Sequence, residues 1–180
     1  NTKINLISRK NLEYKTIRER HIIDSAQAID FIDLNQNTTC DLGSGAGMPG
    51  IIIAIMIKKK KKKMKINLYE KSYHKSNFLR EVSKKLNLNT EVIQKDIMSI
   101  KKQESCTVIS RAFKPLPVML DIVTKNFTNY KNLILFMGKD GKKILRKTFN
   151  DWDFHFEEKK SLTSPESFLL NIKNVKHKKK

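Results

Sequence analysis

Ten consecutive residues, Asp41-Leu42-Gly43-Ser44-Gly45-Ala46-Gly47-Met48-Pro49-Gly50, hold four of the six glycines in the chain. The run Thr38–Leu42 before them reads as a short strand, and Ile51–Ile57 after them, an unbroken apolar run of seven residues, reads as a buried helix. A strand that ends in a glycine-rich turn lets a ligand approach the backbone closely, because no Cβ stands in the way. The N-terminus of the following helix turns its free N–H groups into the same crevice. In open α/β sheets, ligands bind outside the carboxyl ends of the strands. A ligand site at this turn is therefore the first expectation.

The rest of the chain alternates between the two periodicities. Ile22, Ala26, Ile29 and Asp33 follow helical spacing and predict a helix ahead of the first strand. Met64–Tyr69 alternates and reads as a strand, while Phe78, Leu79, Val82 and Leu86 form one face of a helix. Glu91–Gln94, Cys106–Ser110 and Leu133–Met137 read as further strands. Pro115–Val123 reads as a helix, with Pro117 tolerated only in its first turn. Trp152–Phe156 and Phe168–Val175 read as a closing antiparallel pair. Strands alternating with helices imply a mostly parallel sheet covered on both faces. The expected fold is a doubly wound, Rossmann-like α/β fold with an antiparallel C-terminal hairpin at its edge and an N-terminal helical segment. At 180 residues the chain fits one domain, read as a helical segment over 1–37 and the Rossmann-like core over 38–180.

Charge is the loudest feature of the composition. Lys and Arg number 37 against 18 Asp and Glu, a net +19. A field of that size favours polyanions, and phosphate contacts add affinity by releasing counterions. The alternative reading of part of the charge is codon usage: 31 of the 37 basic residues are Lys, and Lys, Ile and Asn share AT-rich codons. Two basic tracts, Lys58–Lys63 and Lys176–Lys180, read as solvated loop and tail segments. Cys40 and Cys106 sit far apart in apolar stretches, with no CxxC or Cys/His cluster. They read as small buried hydrophobes in a reducing, cytoplasmic compartment. The longest apolar run falls far short of the roughly twenty residues of a membrane helix, and neither membrane nor metal is expected.

The residues after the glycine turn decide which ligand it takes. A phosphate-cradling P-loop ends in Gly-Lys-Ser/Thr, which Met48-Pro49-Gly50 does not supply. Gly45, Gly47 and Gly50 satisfy GxGxxG, and Glu70 lies 20 residues beyond Gly50, as a dinucleotide site would want. Pro49 interrupts that frame. The alternative frame, Asp41-x-Gly43-x-Gly45-x-Gly47, resembles motif I of class I methyltransferases, whose loop wraps the methionine part of S-adenosylmethionine and needs no diphosphate cradle. Glu70, ending the second strand, can accept both ribose hydroxyls with either cofactor; otherwise it is a surface acid. Asp96 is placed to serve near the adenine with Ile97 and Met98 flanking it, or is a turn residue. Arg111, one of six arginines, follows an apolar run at a strand's carboxyl end and is expected to face the crevice with its planar set of donors. Arg20, His21, Asp24 and Ser25 form a polar cluster, in which Arg20 and Asp24 share a helix face and could simply pair.

Taken together, these residues resemble the bacterial 16S rRNA guanine-N7 methyltransferase family, also called glucose-inhibited division protein B. The matching stretches are Asn5-Leu6-Ile7-Ser8, Arg20-His21-Ile22-Ile23-Asp24-Ser25, the Asp41–Gly50 segment, Lys75-Ser76-Asn77-Phe78-Leu79 and Ile109-Ser110-Arg111-Ala112-Phe113. The resemblance implies a class I methyltransferase fold, S-adenosylmethionine as donor, and a guanine in the 530 loop of 16S rRNA, free or within a 30S subunit, as acceptor. It implies cofactor contacts from Gly43, Met48, Ile97, Met98 and Arg111, with Glu70 on the ribose. With Asp41, Gly45 and Asp96 these form the expected cofactor set; Arg20, His21 and Lys139 form the expected substrate set. Three departures stand out: the helical segment that usually precedes the position of Asn1 is absent, Met137-Gly138 stands where Lys-Gly is common, and Ser167 replaces an Arg after Glu166. Guanine N7 carries a lone pair and no proton, so in-line attack needs no general base, and no catalytic acid or base is expected. A monomer is expected. The rival readings are a non-catalytic RNA-binding protein on a decayed methyltransferase fold and a nicotinamide-dependent oxidoreductase.

Overall fold

The structure, a computed structural model, describes residues 6, 14–100, 102–105 and 107–178. Cys106, the Asn5, Ile7 and Ser8 positions of the first matching stretch, and the last two lysines of the tail lie outside the described residues. The helices are α1 (Tyr14–Ile17), α2 (Asp24–Ala26), α3 (Gly50–Lys59), α4 (Tyr73–Lys85), α5 (Leu116–Asn126) and α6 (Gly141–Thr148). The strands are β1 (Thr38–Leu42), β2 (Lys65–Tyr69), β3 (Thr90–Ile93), β4 (Gln103–Glu104), β5 (Thr107–Arg111), β6 (Phe127–Thr128), β7 (Asn132–Met137), β8 (Trp152–Lys160) and β9 (Phe168–His177).

Seven strands form one sheet in the order β3-β2-β1-β5-β7-β9-β8. The first five run parallel, and β9 runs antiparallel to both β7 and β8. The closing pair is thus antiparallel as expected, but the reversed strand is internal. β9 inserts beside β7, and the edge strand β8 runs with the main set. The small ladder β4-β6 stands apart.

Both faces of the sheet are covered, which is why successive residues of β1, β5 and β7 are buried rather than alternating between buried and exposed. Along β7, Leu133 and Leu135 pack under α5 and α6 with Val108, Leu120 and Leu145. Ile134 points the other way, joining Ile109, Ile66 and Leu68 beneath α3 and Leu79 of α4. Each such side chain, fully removed from water, contributes about 1.5–3 kcal/mol. The sheet is therefore rigid where the strands end, and the turns there are built on a fixed platform. Among the described residues no helix is long and apolar enough to cross a membrane.

Three elements depart from the sequence reading. The N-terminal helical stretch runs from Tyr14 to Phe31 but changes its winding: α1 passes into a π-helical segment (Arg18–Ile23), then α2, then a 3₁₀ segment (Gln27–Phe31). Each change rotates the face beyond it. Ile22 is exposed, and Asp24, Ser25, Gln27 and Ala28 point inward instead; Asp33 lies beyond the stretch. Helix α6 has no counterpart in the sequence reading, because Ile144 and Leu145 are too few apolar residues to set a period. Finally, β8 and β9 run further than their apolar cores, carried by polar residues such as Glu157 and Glu158 on the open edge.

Candidate functional site

The glycine turn is held open by three sets of bonds. The main-chain carbonyl of Tyr69, at the end of β2, accepts the N–H groups of both Gly43 and Ser44 at 3.0 Å each. The Glu70 carboxylate bridges two loops, accepting Gly45 N–H at 2.9 Å on Oε2 and Ser72 N–H at 2.8 Å on Oε1. The Asp41 Oδ2 accepts the N–H of Gly50 at 3.0 Å, closing the first turn of α3. Two glycines are required here by space. A Cβ on Gly43, whose φ is +71°, would stand 2.3 Å from the Phe113 ring, and one on Gly50 would stand 2.4 Å from Leu68 and 2.5 Å from Asp41 Oδ2.

A cleft of about 530 Å³ opens over this turn, across the carboxyl ends of β1, β2, β3 and β5. Of the expected residues, Gly43, Gly45, Met48, Glu70, Asp96, Ile97, Arg111 and His21 line it. Asp96 holds its own short turn, with Oδ1 accepting Met98 N–H at 3.0 Å, and Ile97 is buried against the core. Four others stand elsewhere, Lys139 among them in an adjoining hollow. Asp41 lies beneath the loop, 1% exposed, with Oδ1 lacking any partner. It supports the turn rather than facing the cleft, and burial pushes its carboxyl up to about 7. Met98 is 58% exposed and does not line the cleft, since the 3₁₀ turn that buries Ile97 carries the next side chain outward. The Arg20 side chain is exposed; what it brings to the site is its main-chain carbonyl.

That carbonyl accepts a hydrogen bond from Arg111 Nη2 at 2.5 Å. The same guanidinium pairs with Asp24 Oδ2 at 3.0 Å and reaches Ser25 Oγ at 3.4 Å. Asp24 therefore pairs with Arg111 and not with Arg20, because the π-helical segment turns it inward. Its Oδ1 accepts from Gln27, Ser161 and Thr163 at 3.1, 3.0 and 3.2 Å. One buried carboxylate thus ties the N-terminal helical stretch, the end of β5 and the turn after β8 together. Burial pulls the Arg111 guanidinium down and Asp24 opposes that. His21 is also lowered, by burial first and then by Arg111, with Asp24 opposing.

Immediately after Arg111, Ala112 adopts a left-handed φ of +48°, an uncommon conformation for a residue with a Cβ. The turn sets Arg111 and Phe113 around one corner, where the cleft meets two further hollows. One, about 270 Å³, is lined by Phe113, Lys114, Met137, Lys139 and Ile144. The other, about 200 Å³, lies between Arg111, Asp24 and the Ser161–Ser167 turn. Lys139 lines the first, 3.8 Å from Glu166. Sequence reasoning did not single out the rim lysines Lys71, Lys75 and Lys95, nor Phe113 as a site residue, although Lys75 and Phe113 stood inside the matching stretches. Ser161 and Thr163 gave no local signal, since their partner is more than a hundred positions away.

The profile for rRNA small subunit methyltransferase G matches residues 1–169. The chain belongs to this family. A relative named ribosomal RNA small subunit methyltransferase G from Pelagibacter ubique (strain HTCC1062) is 61% identical over 178 residues, 99% of this chain and 84% of the relative. One of the same name from Ruegeria sp. (strain TM1040) is 33% identical over 97% of this chain and 84% of its own length. The fold is that of class I S-adenosylmethionine-dependent methyltransferases. A SAM-dependent methyltransferase from Aquifex aeolicus superposes with a TM-score of 0.64 at 14% identity, covering 89% of this chain and 94% of that one. M. jannaschii TYW2 in complex with AdoMet superposes at 0.59 and 16% identity, covering 92% and 78%.

Proposed function

We propose that the chain transfers a methyl group from S-adenosylmethionine to N7 of a guanine in the 530 loop of 16S rRNA, as a cytoplasmic, metal-free monomer acting on the small subunit or its precursor. The family supports rRNA methylation. The observation that carries the choice of co-substrate is the plugged N-terminus of α3. Asp41 takes the Gly50 N–H, and the Gly47 carbonyl takes that of Ile51 at 2.7 Å. A dinucleotide diphosphate would need those donors. A zwitterionic amino acid does not.

The donor set of the cleft fits the adenosine half. Each oxygen of Glu70 accepts one backbone N–H and keeps a lone pair, one for each hydroxyl of a cis diol. Asp96 keeps its second oxygen for an exocyclic amino group, and buried Ile97 offers an apolar edge to a base. Gly43, Gly45 and Met48 leave the turn's backbone open to the methionine part. When bound, the co-substrate supplies an activated methyl carbon to a nitrogen that has no proton to lose. The chain's own task is placement, which well-oriented groups can turn into several kcal/mol of barrier reduction. Arg111 fixes the wall between the cleft and the two hollows. His21, on the cleft wall, offers a hydrogen bond to the acceptor. Lys71, Lys75, Lys95 and Lys139 ring the opening for phosphates, with the exposed Arg20 beside them.

The deciding experiment tracks methyl transfer from labelled S-adenosylmethionine to 30S subunits taken from cells lacking the modification, with the nucleoside identified by mass spectrometry. The expected product is 7-methylguanosine at a single site in the 530 loop. Label in another nucleoside, or co-substrate binding with no transfer to any rRNA form, would overturn the reading.

A further inference from the structure

Besides the C-terminal tail the chain carries two dense basic segments, the Lys58–Lys63 tract and helix α6, and the fold sends these two to opposite ends of the sheet. The Lys58–Lys63 tract leaves the C-terminal end of α3, one helix length or roughly 15 Å from the glycine turn. There Lys58 donates to the Leu86 carbonyl and Lys62 to Asn35, both at the amino ends of the strands. Helix α6 instead starts just past the carboxyl end of β7, and its Gly141 and Ile144 line the hollow that meets the cleft at Phe113.

Helix α6 has the sequence GKKILRKT, with Gly141, Leu145 and Thr148 buried. Its four cations and Ile144 make up the rest. Lys142 is spoken for, bonded to Glu158 and lying 4.7 Å over the Phe168 ring. Lys143, Arg146 and Lys147 are exposed and have no acidic partner among the described residues. Lys143 and Lys147 are one turn apart on the face turned away from the buried Gly141, Leu145 and Thr148, on the helix whose Ile144 lines the hollow. Arg146 and Lys147 in the last turn suit the helix dipole and offset Lys142 and Lys143 in the first, but Lys143 and Lys147, four apart, repel. An anion laid along the face would relieve that repulsion.

Resting on the rRNA reading above, we infer that the exposed face of α6, formed by Lys143, Arg146 and Lys147, docks the phosphate backbone of the RNA, and that the Lys58–Lys63 tract does not. The test compares two variants that lose equal charge: Lys143→Gln/Arg146→Gln/Lys147→Gln on α6, and Lys59→Gln/Lys60→Gln/Lys63→Gln on the tract. Binding of a 16S rRNA fragment containing the 530 loop is measured across a salt series, alongside KM, kcat and S-adenosylmethionine affinity. The α6 variant is expected to weaken RNA binding at least about tenfold and to flatten the salt dependence by about two units of slope, at about 0.7 per phosphate contact. Its kcat at saturating RNA and its co-substrate affinity stay at wild-type values, and the tract variant matches wild type throughout. Lys143→Gln alone should give about a third of the slope change, which guards against a folding defect in the triple variant. Equal loss in both triple variants would mean that net charge alone is sensed, and no loss in the α6 variant would place docking elsewhere; either overturns the inference. Wild-type protein that binds RNA through α6 yet methylates nothing would leave this inference standing and remove the rRNA methylation reading instead.

Discussion

Asp41 shows how one carboxylate can brace a glycine loop from beneath, without facing the cleft that the loop borders. It sits at the N-terminus of α3, where the dipole and the Gly50 N–H favour a negative charge. Burial outweighs both, and its carboxyl is pushed up to about 7. The unfolded chain ionises at the ordinary 3.8. Between those values the folded state binds more protons than the unfolded one, so stability falls as pH rises from about 4 to about 7 and levels off above. Asp41→Asn keeps an acceptor for Gly50 and cannot ionise. Its melting temperature relative to wild type should therefore climb through that window, by on the order of 5–10 °C, and then hold constant. Thermal unfolding of both proteins over a pH series checks this; a difference independent of pH would mean Asp41 is ionised throughout. Glu70 differs in that both its oxygens are engaged by backbone N–H groups. A glutamine there turns an amide NH₂ toward one of them and leaves that donor unmatched. Glu70→Gln should weaken S-adenosylmethionine binding by about ten- to a hundredfold, as expected for a lost charge-assisted hydrogen bond, in a calorimetric titration, while wild-type affinity in the variant would exclude Glu70 from the ribose site.

The N-terminal helical stretch, β5 and the turn after β8 meet in the Asp24–Arg111 pair. Removing one partner of such a pair strands the other charge, whereas removing both does not. Asp24→Ala should destabilise the fold by about 2–4 kcal/mol, and Asp24→Ala combined with Arg111→Met should cost clearly less than the two single changes added. Denaturant unfolding of the four proteins measures the coupling, and strict additivity would show that the pair holds nothing together. No part of this tie was legible in the sequence. Asp24 appeared as a helix-face partner for Arg20 because a regular helix puts residues four apart on one side, and a π-helical segment cannot be read from spacing. The glycines of the loop, Glu70, Asp96 and Arg111 were legible because each lies at or just past the carboxyl end of a strand, so position along the chain fixed position at the crevice, whereas Asp41, one residue earlier in β1, turns beneath it. Helix α6 escaped for the opposite reason. Five of its eight residues are Lys, Arg or Gly, and its order comes from packing Leu145 against a core assembled from distant strands.

At the scale of the whole molecule the charge imbalance acts on folding as well as on partners. The surface carries attractive pairs, among them Lys65–Glu91 and Lys125–Asp121, each worth about 0–1 kcal/mol when exposed. Added salt weakens these. It also weakens the repulsion among 37 cations opposed by only 18 anions, and with twice as many cations as anions the repulsive pairs outnumber the attractive ones. Screening should therefore stabilise the fold. Raising KCl from about 20 mM to about 300 mM shortens the Debye length from roughly 20 Å to roughly 6 Å, inside the spacing of most surface lysines. The melting temperature is expected to rise by several degrees over that range, while RNA affinity falls steeply over the same range through lost counterion release. The two slopes have opposite signs because one charge excess is a cost in the free protein and a gain in the complex. A melting temperature that drops with salt would mean the specific ion pairs dominate, and the lysine excess would then be too dispersed to repel or to attract.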